Sequence, residues 1–319
     1  MAEILDTLLL LALPASGKSE VRRYLAHLPP ETIRRDFHLG ETVQLDDYPY
    51  VHLMRRIDDE LTGLGAPRVF FHAADRSFQD ARDWETLIGL LNEDHADLLA
   101  RRPLRPASAA GLLFDRLDAA AVKAGAPARL APLPPATRER LAAAIEPEAR
   151  LQLDEKQAAY APLAGKTLVV EFARGGPEGS AMPLAAPLGY RASLPHLSPA
   201  ILERAAILYV WVTPEESRRK NAARARPDGQ GSILHHGVPV EVMRGDYGCD
   251  DMDWLERTAR RPGTITVEAH GRVFDLPFAR FDNRVDKTSF LRADEARWRV
   301  EEVRAVHEGL RAAFTRLAG

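Results

Sequence analysis

Apolar positions along this chain fall into two alternating rhythms. Residues 7–13 (TLLLLAL) form a short unbroken apolar run, which predicts a strand buried on both faces. Pro14 to Gly17 break that run. Val21, Tyr24, Leu25 and Leu28 then recur at helical spacing over 18–28, and Pro29-Pro30 ends the helix. Residues 42–45 predict a second strand ending in Asp46-Asp47, residues 51–64 an amphipathic helix, and 68–72 (RVFFH) a third strand. From about 80 to 163 the pattern turns mostly helical, with Ala/Leu/Arg-rich helices near 108–124 and 136–160 set off by Pro/Ala-rich stretches. Strand runs return at 167–172 (TLVVEF) and 207–212 (ILYVWV), with a helix expected at 198–206 between them and another at 213–225 after them. Residues 264–278 alternate around His270-Gly271, a hairpin signal, and 293–317 predict a long final helix. No internal repeat stands out.

Buried strands that alternate with helices predict an α/β fold, a mainly parallel sheet with helices on both faces and a helical insertion at about 80–163. The whole of 1–319 reads as one domain. In such sheets ligands bind beyond the carboxyl ends of the strands, so the loops after Leu13, Leu45, Phe172 and Val212 are the places to search.

Composition narrows the classes. With 319 residues, 45% hydrophobic and 28% charged, the chain can bury a sizeable core. A formal charge of −3 argues against a nucleic-acid coat or a polybasic membrane anchor, and no apolar run approaches a membrane span. The lone cysteine, Cys249, excludes an internal disulfide framework and fits a reducing, cytoplasmic setting. Only six of the 43 basic residues are lysines (18, 123, 156, 166, 220 and 287). A lysine in such a chain therefore points more strongly to a need for a compact ammonium group.

One lysine stands in a telling place. Ala12-Leu-Pro-Ala-Ser-Gly17-Lys18-Ser19 lies where a buried strand turns into a helix, and its last three positions match the phosphate-loop pattern, with Ala12 at the first glycine position. Backbone amides around Ala15 to Ser19 are placed to wrap a phosphate at a helix N-terminus. Gly17 allows close backbone approach, Lys18 reaches the terminal phosphates and the Ser19 hydroxyl binds magnesium. Pro14, Ala15, Ser16, Gly17, Lys18, Ser19 and Glu20 are accordingly the expected nucleotide-binding stretch.

Residues 11–22 (LALPASGKSEVR) resemble the opening of the P-loop kinases of small molecules, the superfamily that holds adenylate, uridine, shikimate and gluconate kinases and the zeta toxins. The resemblance covers about the first 28 residues and is absent over the helical insertion. It implies a P-loop NTPase fold, ATP and Mg2+ as cofactors, and a small-molecule hydroxyl as acceptor. Gln44-Leu-Asp46-Asp47-Tyr48 is similar to the segment with which uridine kinase-like enzymes approach acceptor and metal, which makes Asp46 or Asp47 a candidate base and Asp46 a candidate metal ligand. Glu171, with Arg174 three residues on, resembles the base-plus-arginine arrangement of deoxynucleoside kinases, which space the two more closely. Glu171 alternatively fills the position that holds magnesium-bound water, or forms a structural pair with Arg174. After the strand at 207–212 the superfamily places a lid helix, here 214–232, whose arginines close over the phosphates; Arg219 and Arg224 are the candidates. Asn283 falls in the loop that packs against the adenine.

Other features carry less chemistry. His235-His236 lack a second pair at ligand spacing, and the acidic stretch 243–254 either covers an acceptor or caps the helix after it. The expected activity is an ATP-dependent small-molecule kinase, with a nucleoside, a sugar or a cofactor precursor as the acceptors to test. A nucleotide hydrolase and a nucleotide-sensing protein without chemistry are the two rivals.

Overall fold

The apolar run after Asp6 forms β1 (Thr7–Leu11), and all five of its residues are buried. The computed structural model describes residues 4–224 and 237–319, the side chain of Arg224 excepted. The loop at 227–231 and His235-His236 lie outside the described residues. The chain divides into two compact units. Met1–Gln44, Gly165–Pro195 and Pro199–Gly319 form one, and Leu45–Ala164 with His196–Ser198 form the other.

In the first unit, α1 (Lys18–His27) and α2 (Pro30–Phe37) lead to β2 (Glu41–Asp46), whose end crosses into the second unit. The second unit supplies α3 (Tyr48–Gly63), α4 (Asp83–Ala100), α5 (Ala109–Lys123) and α6 (Pro135–Ala158). The chain then returns through β3 (Lys166–Phe172), α7 (Gly189–Ser193), α8 (Pro199–Leu202), β4 (Ala205–Trp211) and α9 (Pro214–Arg224). It closes with α10 (Val240–Gly245), α11 (Met252–Thr258), the hairpin β5 (Thr264–Ala269) and β6 (Arg272–Asp282), and α12 (Val300–Ala318).

The six strands lie in the order β2-β3-β1-β4-β6-β5, a mostly parallel α/β sheet in which only the terminal β5 is shown antiparallel to its neighbour. Alternation along β1 decides which helices cover which face. Leu8 and Leu10 join Val21, Tyr24 and Leu25 of α1, Phe37 of α2 and Leu310 and Phe314 of α12 in one core layer. Tyr190 of α7 packs instead on Phe172 and Tyr209, which the alternation places on the opposite face. The chain leaving β1 and the chain leaving its neighbour β3 thus go to opposite faces, the condition that opens a crevice at the strands' carboxyl ends.

The helical unit contains a repeat that the sequence hides. Asp58 of α3 accepts hydrogen bonds from the amides of Val69 (2.7 Å), Phe70 (3.2 Å) and Phe71 (2.8 Å). Asp118 of α5 does the same for Arg129 (2.8 Å), Leu130 (3.0 Å) and Ala131 (2.6 Å), at the same offsets of eleven to thirteen residues. Gly-Ala-Pro follows each aspartate at matching positions, 65–67 and 125–127. Two residues before each stands an arginine: Arg56 pairs with Glu148 of α6, and Arg116 with Asp94 of α4. Two helical hairpins therefore share one plan. Asp94 also accepts from Tyr50 and Lys156, which ties all four helices together around one carboxylate. Burial and the Asp94 charge push the Tyr50 hydroxyl well above its ordinary pKa.

Four expectations are corrected. Residues 68–72 are not a sheet strand, because the amides of Val69 to Phe71 are taken by Asp58 and Phe71 makes only an isolated bridge to Phe78. The helical unit starts at Leu45, not near 80. The helix at 198–206 shrinks to α8, because β4 already begins at Ala205. The last long helix begins at Val300, after two short 3-10 turns at Ser289–Arg292 and Glu295–Arg297.

Candidate functional site

The turn from β1 into α1 is built on unusual backbone. Ala15 sits at φ 55, and Gly17, the residue before the first turn of α1, at φ 111. A side chain at Gly17 has no room. A Cβ there would lie 2.5 Å from the Thr288 hydroxyl and 2.9 Å from the Asn283 amide nitrogen, so glycine is required by both dihedral and space. The first intrahelical bond runs from Val21 N to Gly17 O (2.9 Å). The amides of Lys18 and Ser19 precede it, and among the described residues neither they nor the Gly17 amide donate to a protein acceptor. The Ser16 hydroxyl, in a residue 1% exposed, has no partner among the described residues either.

Three carbonyls around the turn are tied down. The Ala12 carbonyl accepts from the Tyr190 hydroxyl (3.0 Å), Pro14 O from Ser217 Oγ (2.7 Å) and Ser16 O from Asn283 Nδ2 (2.6 Å). Three separate elements therefore hold the loop's carbonyls outward from its amide side. Tyr190 is itself set by Asp251, whose carboxylate accepts from the amides of Tyr190 (2.7 Å) and Arg191 (3.1 Å). Burial pushes the Asp251 carboxyl up to about 6. The neighbouring Asp250 accepts from the Tyr209 hydroxyl at 2.6 Å. These two aspartates of the acidic stretch are thus structural.

Lys18 Nζ lies 3.5 Å from Ala12 O and 3.8 Å from the Glu171 carboxylate. β3 pairs with β1 so that Leu10 stands opposite Glu171, which puts this carboxylate beside the start of α1. Glu171 also accepts from Arg22 (3.2 Å) and Gln44 (3.3 Å). The structural pairing of Glu171 with Arg174 is a correction: the partners in this structure are Arg22 and Lys18, because Glu171 faces α1. Arg174 donates to Ala173 O and lies over the Phe172 ring. No spacing rule reveals the Arg22 contact, which joins residues 149 positions apart.

Two further expectations change. Glu20 is 2% exposed and paired with Arg292 at 2.5 Å, so its side chain braces α1 from behind. Asn283, expected against a base, is 0% exposed and wholly engaged. Its Nδ2 donates to Ser16 O and to Thr288 Oγ1 (2.9 Å), and its Oδ1 accepts from the Lys287 amide (2.7 Å). It holds the loop and is closed to any ligand.

Sequence reasoning missed Lys220. This α9 lysine is fully buried, and Nζ donates to Asp286 (2.8 Å) and to Thr288 Oγ1 (3.0 Å), the hydroxyl that abuts Gly17. Burial acts to raise the Asp286 carboxyl, but hydrogen bonds from Lys220 and Ser289 outweigh it and hold the group well below the usual carboxylate range. Burial lowers the Lys220 ammonium from its ordinary value, while the hydrogen bond and charge of Asp286 work against that shift. The scarcity of lysine was the one signal available for it.

The remaining candidates lie as follows. Arg219 is 56% exposed and bound by Glu216 (2.7 Å) and Asp286 (3.3 Å). Arg224 ends α9, and its side chain lies outside the described part. Asp46 belongs to the second unit and accepts from the Tyr48 amide (2.9 Å), while Asp47 is the residue before α3 and is 6% exposed. On β2, Asp46 shares the strand face of Thr42 and Gln44. Among the described residues no three His, Cys, Asp or Glu side chains gather into a metal cluster, and no helix is long and apolar enough to cross a membrane.

What the arrangement can do follows from these parts. It gathers free amides at a helix N-terminus, one ammonium and one half-exposed hydroxyl on the same turn, and a carboxylate at the end of the next strand. Comparison with family models, with curated proteins and with solved structures finds no match.

Proposed function

We propose that this chain is an ATP-dependent phosphotransferase that carries the γ-phosphoryl group to a hydroxyl of a small molecule, on a P-loop NTPase fold. One observation carries the reading. The amides of Gly17, Lys18 and Ser19 have no protein acceptor among the described residues, while Lys18 Nζ stands beside them at the carboxyl end of β1. A polyphosphate supplies the acceptors such a ring requires.

The roles follow. Loop amides and Lys18 bind and orient the phosphates, which is most of what phosphoryl transfer asks of a protein. Glu171 orients the acceptor hydroxyl and takes its proton; Asp46 and Asp47 are the alternative carboxylates. Arg219, on the helix after β4, would neutralise charge once freed from Glu216 and Asp286, and Arg224 on the same helix is the second candidate. The donor chemistry suits a hard divalent cation held by few protein oxygens. Ser19, with Glu171, would hold magnesium, which neutralises phosphate charge when bound. Asn283, Thr288 and Lys220 act through the loop and are positioning residues.

Lys18→Ala tests the reading. The variant keeps its melting temperature within a few degrees, and its ATP turnover falls at least about a hundredfold, the loss typical for removing one preorganised charge-stabilising group. Unchanged turnover overturns the assignment. Release of inorganic phosphate at full rate without any acceptor would instead identify a hydrolase.

A further inference from the structure

The Glu171 carboxylate is held unevenly. One oxygen, Oε2, accepts from Arg22 Nη1 (3.2 Å) and from Gln44 Nε2 (3.3 Å). The other, Oε1, has Lys18 Nζ as its partner among the described residues, at 3.8 Å. Lys18 and Arg22 stand one helical turn apart on α1, and Gln44 lies on β2, the neighbour of β3 in the sheet. Burial gives the arrangement its weight. The Glu171 side chain is 8% exposed and that of Lys18 11%, against 35% for Arg22. A carboxylate so enclosed is costly to leave without a counter-charge, and this one has two. Their surroundings differ. Lys18 belongs to the turn whose amides stand open, whereas Arg22 lies a turn farther along the helix.

From this asymmetry we infer that Oε1 is the working oxygen of Glu171 and that Lys18 covers it until a nucleotide draws the ammonium away. Arg22 and Gln44 are positioning residues that keep hold of the carboxylate through Oε2. The inference rests on the phosphotransferase reading above and deepens it. A polyphosphate seated on the loop brings several negative charges and therefore displaces Glu171 as the partner of Lys18. Arg22 then balances the buried carboxylate alone. Without Arg22, Glu171 would hold Lys18 back, because releasing it would leave a buried charge unpaired. In the transfer, the acceptor oxygen forms a bond to the γ-phosphorus as the bond from that phosphorus to the β–γ bridging oxygen breaks. The bridging oxygen keeps the electron pair and leaves with ADP. The hydroxyl proton passes to Oε1, which is open only while Lys18 is on the phosphates. An empty donor site thus has a covered base.

Two measurements on the full chain test this, with the non-hydrolysable analogue AMP-PNP as the probe. In the first, a water-soluble carbodiimide joins carboxylates to neighbouring amines, and peptide mass spectrometry reads the Lys18–Glu171 amide, with EDTA and again with magnesium. The link is expected in the free protein and falls at least about fivefold at saturating AMP-PNP. The Lys156–Asp97 pair of the helical unit, 2.9 Å apart, is the internal reference and keeps its yield. The second is calorimetry in EDTA. Glu171→Gln tightens AMP-PNP at least about fivefold, and the gain is absent in a Lys18→Met background. Arg22→Gln weakens AMP-PNP in the wild type, Arg22→Lys restores it, and in the Glu171→Gln background the same change has no effect. A Lys18–Glu171 link that survives AMP-PNP overturns the inference. So does tightening by Glu171→Gln that persists without Lys18, which would be plain charge repulsion. Equal weakening by Arg22→Gln in both backgrounds, or no rescue by lysine, overturns the role given to Arg22. All of these leave the phosphotransferase reading standing. Failure of AMP-PNP to bind the wild type, with EDTA and with magnesium, overturns both.

Discussion

Successive backbone amides are gathered at several places in this protein, and two of its regions treat them in opposite ways. In the helical unit, Val69 to Phe71 and Arg129 to Ala131 each present three, and the carboxylates of Asp58 and Asp118 take all of them. At the start of α1, the amides of Gly17, Lys18 and Ser19 receive no such carboxylate among the described residues, although Glu171 stands close enough to pair with Lys18. The same chemical problem is solved internally twice and left open once. A polypeptide that can close such a nest with one aspartate has the means to close this one. The open nest, held by Asn283, Ser217 and Tyr190 through its carbonyls, is therefore the feature on which the proposed nucleotide site rests.

The sharpest way to break the contrast is to loosen what holds the open nest. Lys220→Met leaves Asp286 without its buried cation and frees Thr288. We expect a loss of about 3 kcal/mol in urea unfolding, and a nucleotide KM that rises more than kcat falls, because positioning rather than chemistry is damaged. A kcat loss at constant KM would place Lys220 in the chemistry instead.

Asp58→Ala and Asp118→Ala probe the closed nests. Each strands three amides and is expected to cost about 2–3 kcal/mol without altering AMP-PNP affinity. Equal losses at the two positions would confirm that the hairpins are energetic as well as geometric copies. Gly17→Ala is expected to cost about 1–2 kcal/mol of stability, through its φ of 111 and the contact with Thr288, and to weaken AMP-PNP as well.

The smallest effect separates the regions by pH. Glu146 of α6 accepts from the first amides of α5: burial acts to raise its carboxyl, but hydrogen bonds from the amides of Ala110 and Ala109 pull its pKa from 4.5 down to about 2. Its contribution is present above 4.5 and lost as pH falls toward 2. Asp251, raised by burial to about 6, behaves oppositely: its contribution is present at low pH and lost as pH rises through 6. Urea midpoints followed across pH should lose their acid slope in Glu146→Gln and their neutral slope in Asp251→Asn.

Much of this was written in local pattern. Unbroken apolar runs marked β1, β3 and β4, His270-Gly271 marked the β5–β6 turn, and Gly17-Lys18-Ser19 marked the open nest. The rest depends on contacts that no window of sequence contains. RVFFH is rich in strand-forming residues, yet its amides are taken by an aspartate eleven to thirteen positions earlier, so propensity lost to a side-chain carboxylate. The hairpin repeat escaped notice because helical faces tolerate apolar exchange, and only arginine, aspartate and Gly-Ala-Pro persist between the copies. Asn283 was read as a ligand contact because its 267-residue reach to Ser16 is invisible along the chain.

The central claim is tested most directly by backbone amide resonances followed while AMP-PNP and magnesium are added. The account predicts large shifts for the amides of Gly17, Lys18 and Ser19, and none at Val69 to Phe71 or Arg129 to Ala131, whose acceptor is already in place. Silent resonances at 17–19, with shifts elsewhere or nowhere, would contradict it.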